Sequence, residues 1–277
     1  MPLFVVDSDR CKGDGICVAE CPTRIIELIP ENGKPHVPTE AEEFCRHCGH
    51  CVAVCPQGAA SLATMAPEQL LRVQPDWGLG REQVTHFLRA RRSIRTFTPR
   101  PAERGTLADL IDVARFAPTA SNRQPVRWVV VEEGDEVRRL AGLVVEWMRA
   151  GLPNQPPAIR KSNERFISLW DSGRDVICRG APHLIVACGP EALPVSATDC
   201  VIALTYLELA APSFGLGACW AGFFTAAARQ WAPLKEALAL PAEHIVCGAM
   251  MIGYPRYRYY RLPLRNEAHI IWHGSNR

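Results

Sequence analysis

From Gln83 onward the apolar residues Val84, Phe87 and Leu88 fall at i, i+3 and i+4, the spacing of one face of an amphipathic helix. A second helix follows. Thr106 reads as its cap, Leu107, Leu110, Ile111 and Ala114 share a face, and Asp109 sits three residues after the cap. The polar turn 117–125 stops that helix and leads into a strand, Trp128-Val129-Val130-Val131. Between about Ala63 and Gly80 the periodicity lapses. Breakers at Pro67, Pro75, Gly78 and Gly80 enclose a short helical run over 68–73, and the stretch reads as a linker. The pattern therefore divides the chain into a domain over 1–66, a linker over 67–82 and a larger domain over 83–277. Within the latter, residues 142–180 mix Trp147, Met148, Phe166 and Trp170 with the breaker-rich loop 151–157. That suits either a lid over a flat apolar molecule or aromatics that pack a dimer.

Composition narrows the classes. A chain of 277 residues is long for one domain, and 48% hydrophobic residues suffice for a sizeable core. No run approaches the ~20 apolar residues of a membrane span. The start, Met-Pro-Leu-Phe-Val-Val-Asp, is neither basic nor a long apolar stretch, so a cytoplasmic protein is expected. A net charge of +2 gives no case for a nucleic-acid or membrane partner. The charge is uneven, however: residues 1–66 carry nine acidic and five basic side chains, a net of −4 against +6 for the rest.

Twelve cysteines are present. Seven stand in two frames. Cys45-x2-Cys48-x2-Cys51-x3-Cys55-Pro56 places three thiols at i, i+3 and i+6 on a tight loop, where they can converge on one cubane. A structural zinc site would not need the third and fourth cysteines at these offsets. The upstream frame, Cys11…Cys17…Cys21-Pro22, keeps the same spacing with Asp14 in place of the second cysteine. Residues 1–66 therefore resemble a two-cluster bacterial ferredoxin. That resemblance implies that Cys21 joins Cys45, Cys48 and Cys51 on one cluster. Cys11, Cys17 and Cys55 would hold the other, with Asp14 or with nothing. A carboxylate is a harder ligand than a thiolate. The second cluster is then either [4Fe–4S] with Asp14 or solvent on one iron, or [3Fe–4S]. The other five cysteines, Cys178, Cys188, Cys200, Cys219 and Cys247, show no paired spacing and read as small buried apolar residues.

The larger domain opens on Arg91-Arg92-Ser93-Ile94-Arg95-Thr96-Phe97, three guanidinium groups and a hydroxyl suited to an anion. Three further segments follow: Ala117-Pro118-Thr119-Ala120-Ser121-Asn122-Arg123-Gln124-Pro125; Gly215-Leu216-Gly217-Ala218-Cys219-Trp220-Ala221-Gly222; and Gly253-Tyr254-Pro255 with Arg261-Leu262-Pro263-Leu264-Arg265. In this order they resemble the FMN-dependent nitroreductase family over about residues 83–266. With the N-terminal cysteine frames, the whole chain resembles that family's iron–sulfur branch. The resemblance implies an α+β fold, a mostly antiparallel sheet flanked by helices, preceded by the two-cluster ferredoxin domain. It also implies a homodimer with FMN at the interface. Arg91, Ser93 and Arg95 would contact the flavin phosphate, ribityl chain and pyrimidine edge, with Arg92 close by. Pro118, Thr119, Ala120 and Asn122 would approach the isoalloxazine from the other subunit. Cys219, Trp220, Ala221 and Gly222 would form the turn over the flavin, with backbone N–H groups toward N5 and O4. Arg265 and Arg261 would close on the phosphate. Asn266 stands where many members carry a further basic residue, which leaves the phosphate ligands open.

In such a family the flavin supplies the chemistry, and no catalytic side chain is assigned. The expected reaction is reduction of a small acceptor: a nitro compound, a quinone or an activated alkene. Two clusters beside a flavin favour a one-electron donor such as reduced ferredoxin or flavodoxin over NAD(P)H. No dinucleotide-binding glycine fingerprint follows a strand. An electron relay to a partner protein, or a cluster-based redox sensor, are the alternatives. Fold and cofactor do not fix the substrate.

Overall fold

The computed structural model describes residues 2–274. The chain forms two compact units. One runs up to Gly78 and includes the distant segment Ala117–Pro125; the other comprises Leu79–Phe116 and the chain from Val126 on.

The first unit is made of small pieces. Strand β1 (Phe4–Val6) pairs antiparallel with β4 (Ala60–Leu62), and β2 (Glu27–Leu28) pairs with β3 (Pro35–His36). Two short helices, α1 (Ile16–Glu20) and α2 (His50–Ala53), lie in the two cysteine frames. Each follows a glycine in the left-handed conformation, Gly15 at φ 69° and Gly49 at φ 74°. A side chain would be strained at that φ. At Gly49 there is also no room, since a Cβ would meet the Met65 sulfur. The core is Leu3, Phe4, Ile25, Ile26, Val52 and Leu62, together with Cys17, Cys21 and Cys51.

The second unit is built on a four-stranded antiparallel sheet in the order β5 (Arg127–Val131), β6 (His183–Pro190), β8 (His244–Gly253), β7 (Gly217–Trp220). Successive residues of a strand face opposite sides. Leu184 and Val186 of β6, with Ala249 and Met251 of β8, accordingly join the core beneath α5 (Gly134–Gly151), α8 (Gly222–Gln230) and α9 (Ala232–Leu238). Ile185, Ala187, Met250 and Ile252 join the opposite core, under α4 (Arg104–Ala114) and α7 (Ser196–Ala210). Both faces of β6 and β8 are thus covered, so these strands read as continuous apolar runs rather than alternating ones. Helix α3 (Arg81–Ala90) precedes this layer structure and buries none of its residues. Among the described residues no helix is long and apolar enough to cross a membrane.

Three local expectations need correction. The run over 68–73 is not a helix: only Pro67–Gln69 and Pro75–Trp77 form single 3-10 turns. Leu71 and Val73 are 94% and 90% exposed, so no packing offsets the cost of nucleating a short helix. Thr106 is not a cap, because α4 starts at Arg104 with Glu103 before it. The Ala102 N–H donates to buried His183 Nε2 at 2.7 Å, and the Leu107 N–H bonds to the Glu103 carbonyl, which fixes the start three residues earlier. Finally, Met148 is fully buried, and Trp147, Phe166 and Trp170 pack half-buried on the same core. The loop 151–157 is the connection between α5 and α6 (Pro157–Asp171). Met148 is therefore no part of a lid or a dimer surface, whereas Trp147, Phe166 and Trp170 each keep an exposed side.

His183 couples this unit to pH. It is 1% exposed, its Nε2 is an acceptor, and burial pulls its pKa below 6.5 despite the nearby Glu132. The folded value lies below the unfolded one, so the contribution is intact above pH 6.5 and is lost as pH falls through the folded pKa. Thermal unfolding from about pH 7 to about pH 5.5 should show a steeper loss of stability in the wild type than in His183→Gln. The difference is bounded by about 1.4 kcal/mol per pH unit; equal slopes would rule the coupling out.

Candidate functional site

Two cavities in the first unit divide the cysteine frames between them. One, of about 380 Å³ including its open mouth, is lined by Cys21, Cys45, Cys48 and Cys51 with apolar walls from Phe4, Ile25, Ile26 and Leu62. The other, of about 370 Å³, is lined by Cys11, Asp14, Cys17 and Cys55. In each cavity the first thiols of one frame meet the last thiol of the other. Four thiol donors around an apolar cavity are the chemistry an iron–sulfur cluster takes.

Electrostatics in the first cavity are divided. Burial, then the neighbouring Cys48, pushes the Cys51 thiol up to about 12. Burial acts the same way at Cys21, but the backbone at Ile25 and the Thr23 hydroxyl hold its thiol below the ordinary value. The His47 N–H donates to Cys45 Sγ at 3.4 Å. In the second cavity the Ala59 N–H donates to Cys55 Sγ at 3.3 Å, and burial raises Cys17. Asp14 lines this cavity, while its Oδ1 accepts the Ile16 N–H at 3.2 Å. One carboxylate oxygen is therefore engaged in starting α1. Lys34 Nζ donates to the Cys11 carbonyl at 2.7 Å, bringing a cation to this rim. Its distance along the chain from both frames gave no sequence signal.

In the second unit, the strap 91–97 lies along β7 and the chain leaving β8. The Ile94 N–H bonds to the Ala218 carbonyl, Thr98 to the Tyr254 carbonyl, and Arg256 back to Thr96. This close approach needs glycine: a Cβ on Gly217 would stand 2.9 Å from Ile94 Cβ, and one on Gly253 would stand 2.7 Å from the Pro182 ring. Arg91 Nη1 donates to Glu208 Oε1 at 2.7 Å and reaches Ser93 Oγ at 3.5 Å. Arg95 bonds the Ser93 carbonyl at 3.5 Å. Arg92 turns the other way, onto the Ala90 and Arg89 carbonyls, and caps the end of α3. Burial pushes the Cys219 thiol up, against the pull of Arg95 and Arg179. That influence places Arg91, Ser93, Arg95, Cys219, Arg179 and Glu208 in one neighbourhood. Arg179 and Glu208 were not singled out from sequence. Glu208 carried a readable signal, a lone carboxylate in the apolar run of α7.

Trp220 is half-buried and packs in the core over Gly248. The Ala221 N–H is committed to the Ala249 carbonyl, while the first N–H groups of α8, from Gly222 on, have no partner within their own helix. Arg261 and Arg265 lie on an exposed stretch without regular structure, where Arg265 bonds its neighbour's carbonyl. Among the described residues, neither meets the strap by a hydrogen bond or ion pair.

The turn holding Pro118, Thr119, Ala120 and Asn122 belongs to the first unit. Its backbone is tightly wound, with Ser121, Asn122 and Gln124 all at positive φ. The Asn122 N–H bonds the Thr119 carbonyl and Thr119 Oγ1 accepts the Gln124 N–H. The Asn122 amide donates to the carbonyls of Arg46 at 3.3 Å and His47 at 3.1 Å, within the first cysteine loop.

Comparison with known proteins matches two family models, one to each end of the chain. The nitroreductase family model matches residues 88–254, and that of the 4Fe-4S dicluster domain matches residues 10–59. A 4-nitrobenzoate reductase of Pseudomonas putida is 31% identical over 198 residues, covering 60% of this chain and 82% of that protein. A ferredoxin of Pyrobaculum islandicum is 45% identical over 62 residues, 22% of this chain and 54% of its own length. In fold, the chain is similar to the solved structure of a nitroreductase with bound FMN from Bacteroides fragilis. There the TM-score is 0.56 at 18% identity, over 69% of this chain and 99% of the other.

The Arg91–Glu208 pair is asymmetric, because Glu208 is 7% exposed and Arg91 is 30% exposed. Arg91→Ala strands a buried carboxylate and should cost about 3 kcal/mol. Glu208→Gln keeps a neutral partner and should cost about 1 kcal/mol. Urea unfolding of cofactor-free protein reads both, and equal costs would show that the pair is not effectively desolvated.

Proposed function

The chain belongs to the nitroreductase family and carries a 4Fe-4S dicluster domain, and from that premise we propose that its two clusters feed single electrons to FMN for reduction of a small flat acceptor. FMN takes up electrons singly and hands them on in pairs, and each cluster carries one electron at a time. The observation that carries the reading is the division of the cysteine frames into two cavities, one lined by four thiols and one by three thiols and a carboxylate.

The residues have distinct tasks. Cys21, Cys45, Cys48 and Cys51 hold one cluster, and N–H groups such as that of His47 offset the negative charge on its sulfurs. Cys11, Cys17 and Cys55 hold the other, with Asp14 a hard fourth ligand through the oxygen not engaged by Ile16. Ser93 and Arg95 bind and orient FMN. Arg91 does so while sharing its charge with Glu208, so the net charge facing the flavin is less positive than three arginines suggest. Pro118, Thr119, Ala120 and Asn122 approach the flavin of a second copy. Cys219, Trp220 and Gly222 border it, and Arg261 or Arg265 closes on its phosphate. Val84, Phe87 and Leu88 of α3, and Leu264, Ile271 and Trp272 after β8, are all exposed in one chain, which supports a homodimer. The 4-nitrobenzoate reductase relative supports an electron-poor ring as acceptor. The cluster domain supports reduced ferredoxin or flavodoxin as donor.

The test is the anaerobic visible spectrum of loaded protein with NADH or NADPH, then with reduced ferredoxin. Reduced ferredoxin alone should bleach the ~450 nm flavin and ~400 nm cluster bands. Immediate bleaching by NAD(P)H would overturn the donor, and absence of a flavin band would overturn the reading of 83–266. A second experiment addresses Asp14. Asp14→Cys completes the four-thiol set and should slow iron loss on oxidation, read as iron retained per chain. Retention equal to wild type would remove Asp14 from the ligand set.

A further inference from the structure

We propose that Asn122 sets the reduction potential of the cluster at Cys21, Cys45, Cys48 and Cys51, acting through one peptide group of the cysteine loop. The proposal rests on the reading of those four cysteines as cluster ligands. Its geometry is a relay of two hydrogen bonds. Asn122 Nδ2 carries two hydrogens and donates to two carbonyls, Arg46 at 3.3 Å and His47 at 3.1 Å. The Arg46 carbonyl and the His47 N–H are the two ends of the same peptide. That N–H donates in turn to Cys45 Sγ at 3.4 Å.

A hydrogen bond accepted at a peptide carbonyl polarises the group and strengthens its N–H as a donor. Donation to a ligating sulfur favours the more negative, reduced form of a cluster and raises its potential. Asn122 therefore acts on the sulfur without touching it, as a positioning residue. It also flanks His47 on both sides, which steadies that residue at φ 46°, a left-handed backbone uncommon outside glycine. The Asn122 side chain is placed independently of the loop it serves. Its own N–H bonds the Thr119 carbonyl, and the Thr119 hydroxyl accepts the Gln124 N–H, so the turn holds its shape locally.

Among the described residues the other frame shows no such device. In the corresponding loop, Gly13 takes the position of His47, and the cation at that rim, Lys34, bonds the Cys11 carbonyl instead. The two clusters should consequently differ in their response to changes at Asn122. The same residue lies in the turn assigned to the flavin, so the side chain that tunes the donor cluster belongs to the segment that approaches the acceptor.

The test is an EPR-monitored redox titration of full-length protein with its clusters loaded. Asn122→Gly removes the donor at a φ of 53° that glycine adopts freely, and Asn122→Asp replaces it with a carboxylate that cannot donate. Asp14→Cys, which alters only the other cluster, assigns the two signals. In Asn122→Gly the midpoint of the Cys45 cluster should move negative by about a threefold change in its reduction equilibrium, or about 28 mV at 59 mV per decade. Asn122→Asp should move it further, and the other cluster should stay fixed. Unmoved midpoints in both variants, or equal shifts at both clusters, would overturn the proposal; the latter would mark general loosening. Failure to assemble a cluster at Cys45 in wild type would overturn it together with the ligand reading. A loaded protein without FMN would sink the flavin reading alone, since the titration reads the cluster directly.

Discussion

Thiols gathered in an apolar cavity cannot all ionise unless a cation shares their charge, and the first unit is built around that constraint. Cys51, with burial and three neighbouring cysteines against it, is pushed up to about 12. Cys17, Cys21 and Cys51 are at the same time members of the unit's hydrophobic core. The strands around them are two or three residues long and the helices four or five. So little regular structure cannot bury enough apolar surface to hold itself closed, which is why small domains lean on metals or disulfides. Ligand binding and folding share one free energy in such a unit. The N–H donors at Cys45 and Cys55 partly offset the charge in advance.

The second unit meets the opposite requirement. Its sheet is covered on both faces, and every residue of β6 from His183 to Gly189 is buried. A scaffold of that kind needs no bound group to be rigid, and rigidity is what a cofactor site borrows from it. The strap 91–97 gains its position by lying against Gly217 and Gly253, where a methyl group would force it away. Arg91 is then fixed by Glu208 rather than left to solvent. The strap's cationic character is in this way moderated by a carboxylate from the buried face of α7.

Much of this was legible in the sequence, for identifiable reasons. The cysteine frames fix ligands by spacing over a few residues, and the two cavities divide them as a ferredoxin-like pairing implies. Helix α3 follows from the spacing of Val84, Phe87 and Leu88, and strand β5 from an apolar run that succeeds a polar turn. What sequence missed depends on contacts distant along the chain. The start of α4 is set by His183, 81 residues from Ala102, and the role of Glu208 by Arg91, 117 residues away. The run 68–73 misled because its apolar residues, spaced as if for a helix, have nothing to pack against. Arg92, expected close to the flavin, bonds two carbonyls at the end of α3, since a helix end and a phosphate make the same demand on a guanidinium: several oxygens at hydrogen-bonding distance.

Strain gives the last clue to where the chain has been shaped for more than stability. Among the non-glycine residues at positive φ, His47 lies in the first cysteine loop, and Ser121, Asn122 and Gln124 lie in the turn whose amide bonds that loop. Each such residue costs of order 1 kcal/mol and persists only where its surroundings fix it. Here the surroundings are specific: a side-chain amide satisfies two carbonyls, and a threonine braces the turn from within. A connection needed only to join α4 to β5 would have no use for that arrangement. Its position within the first unit, though the chain on either side belongs to the second, is what the strain secures.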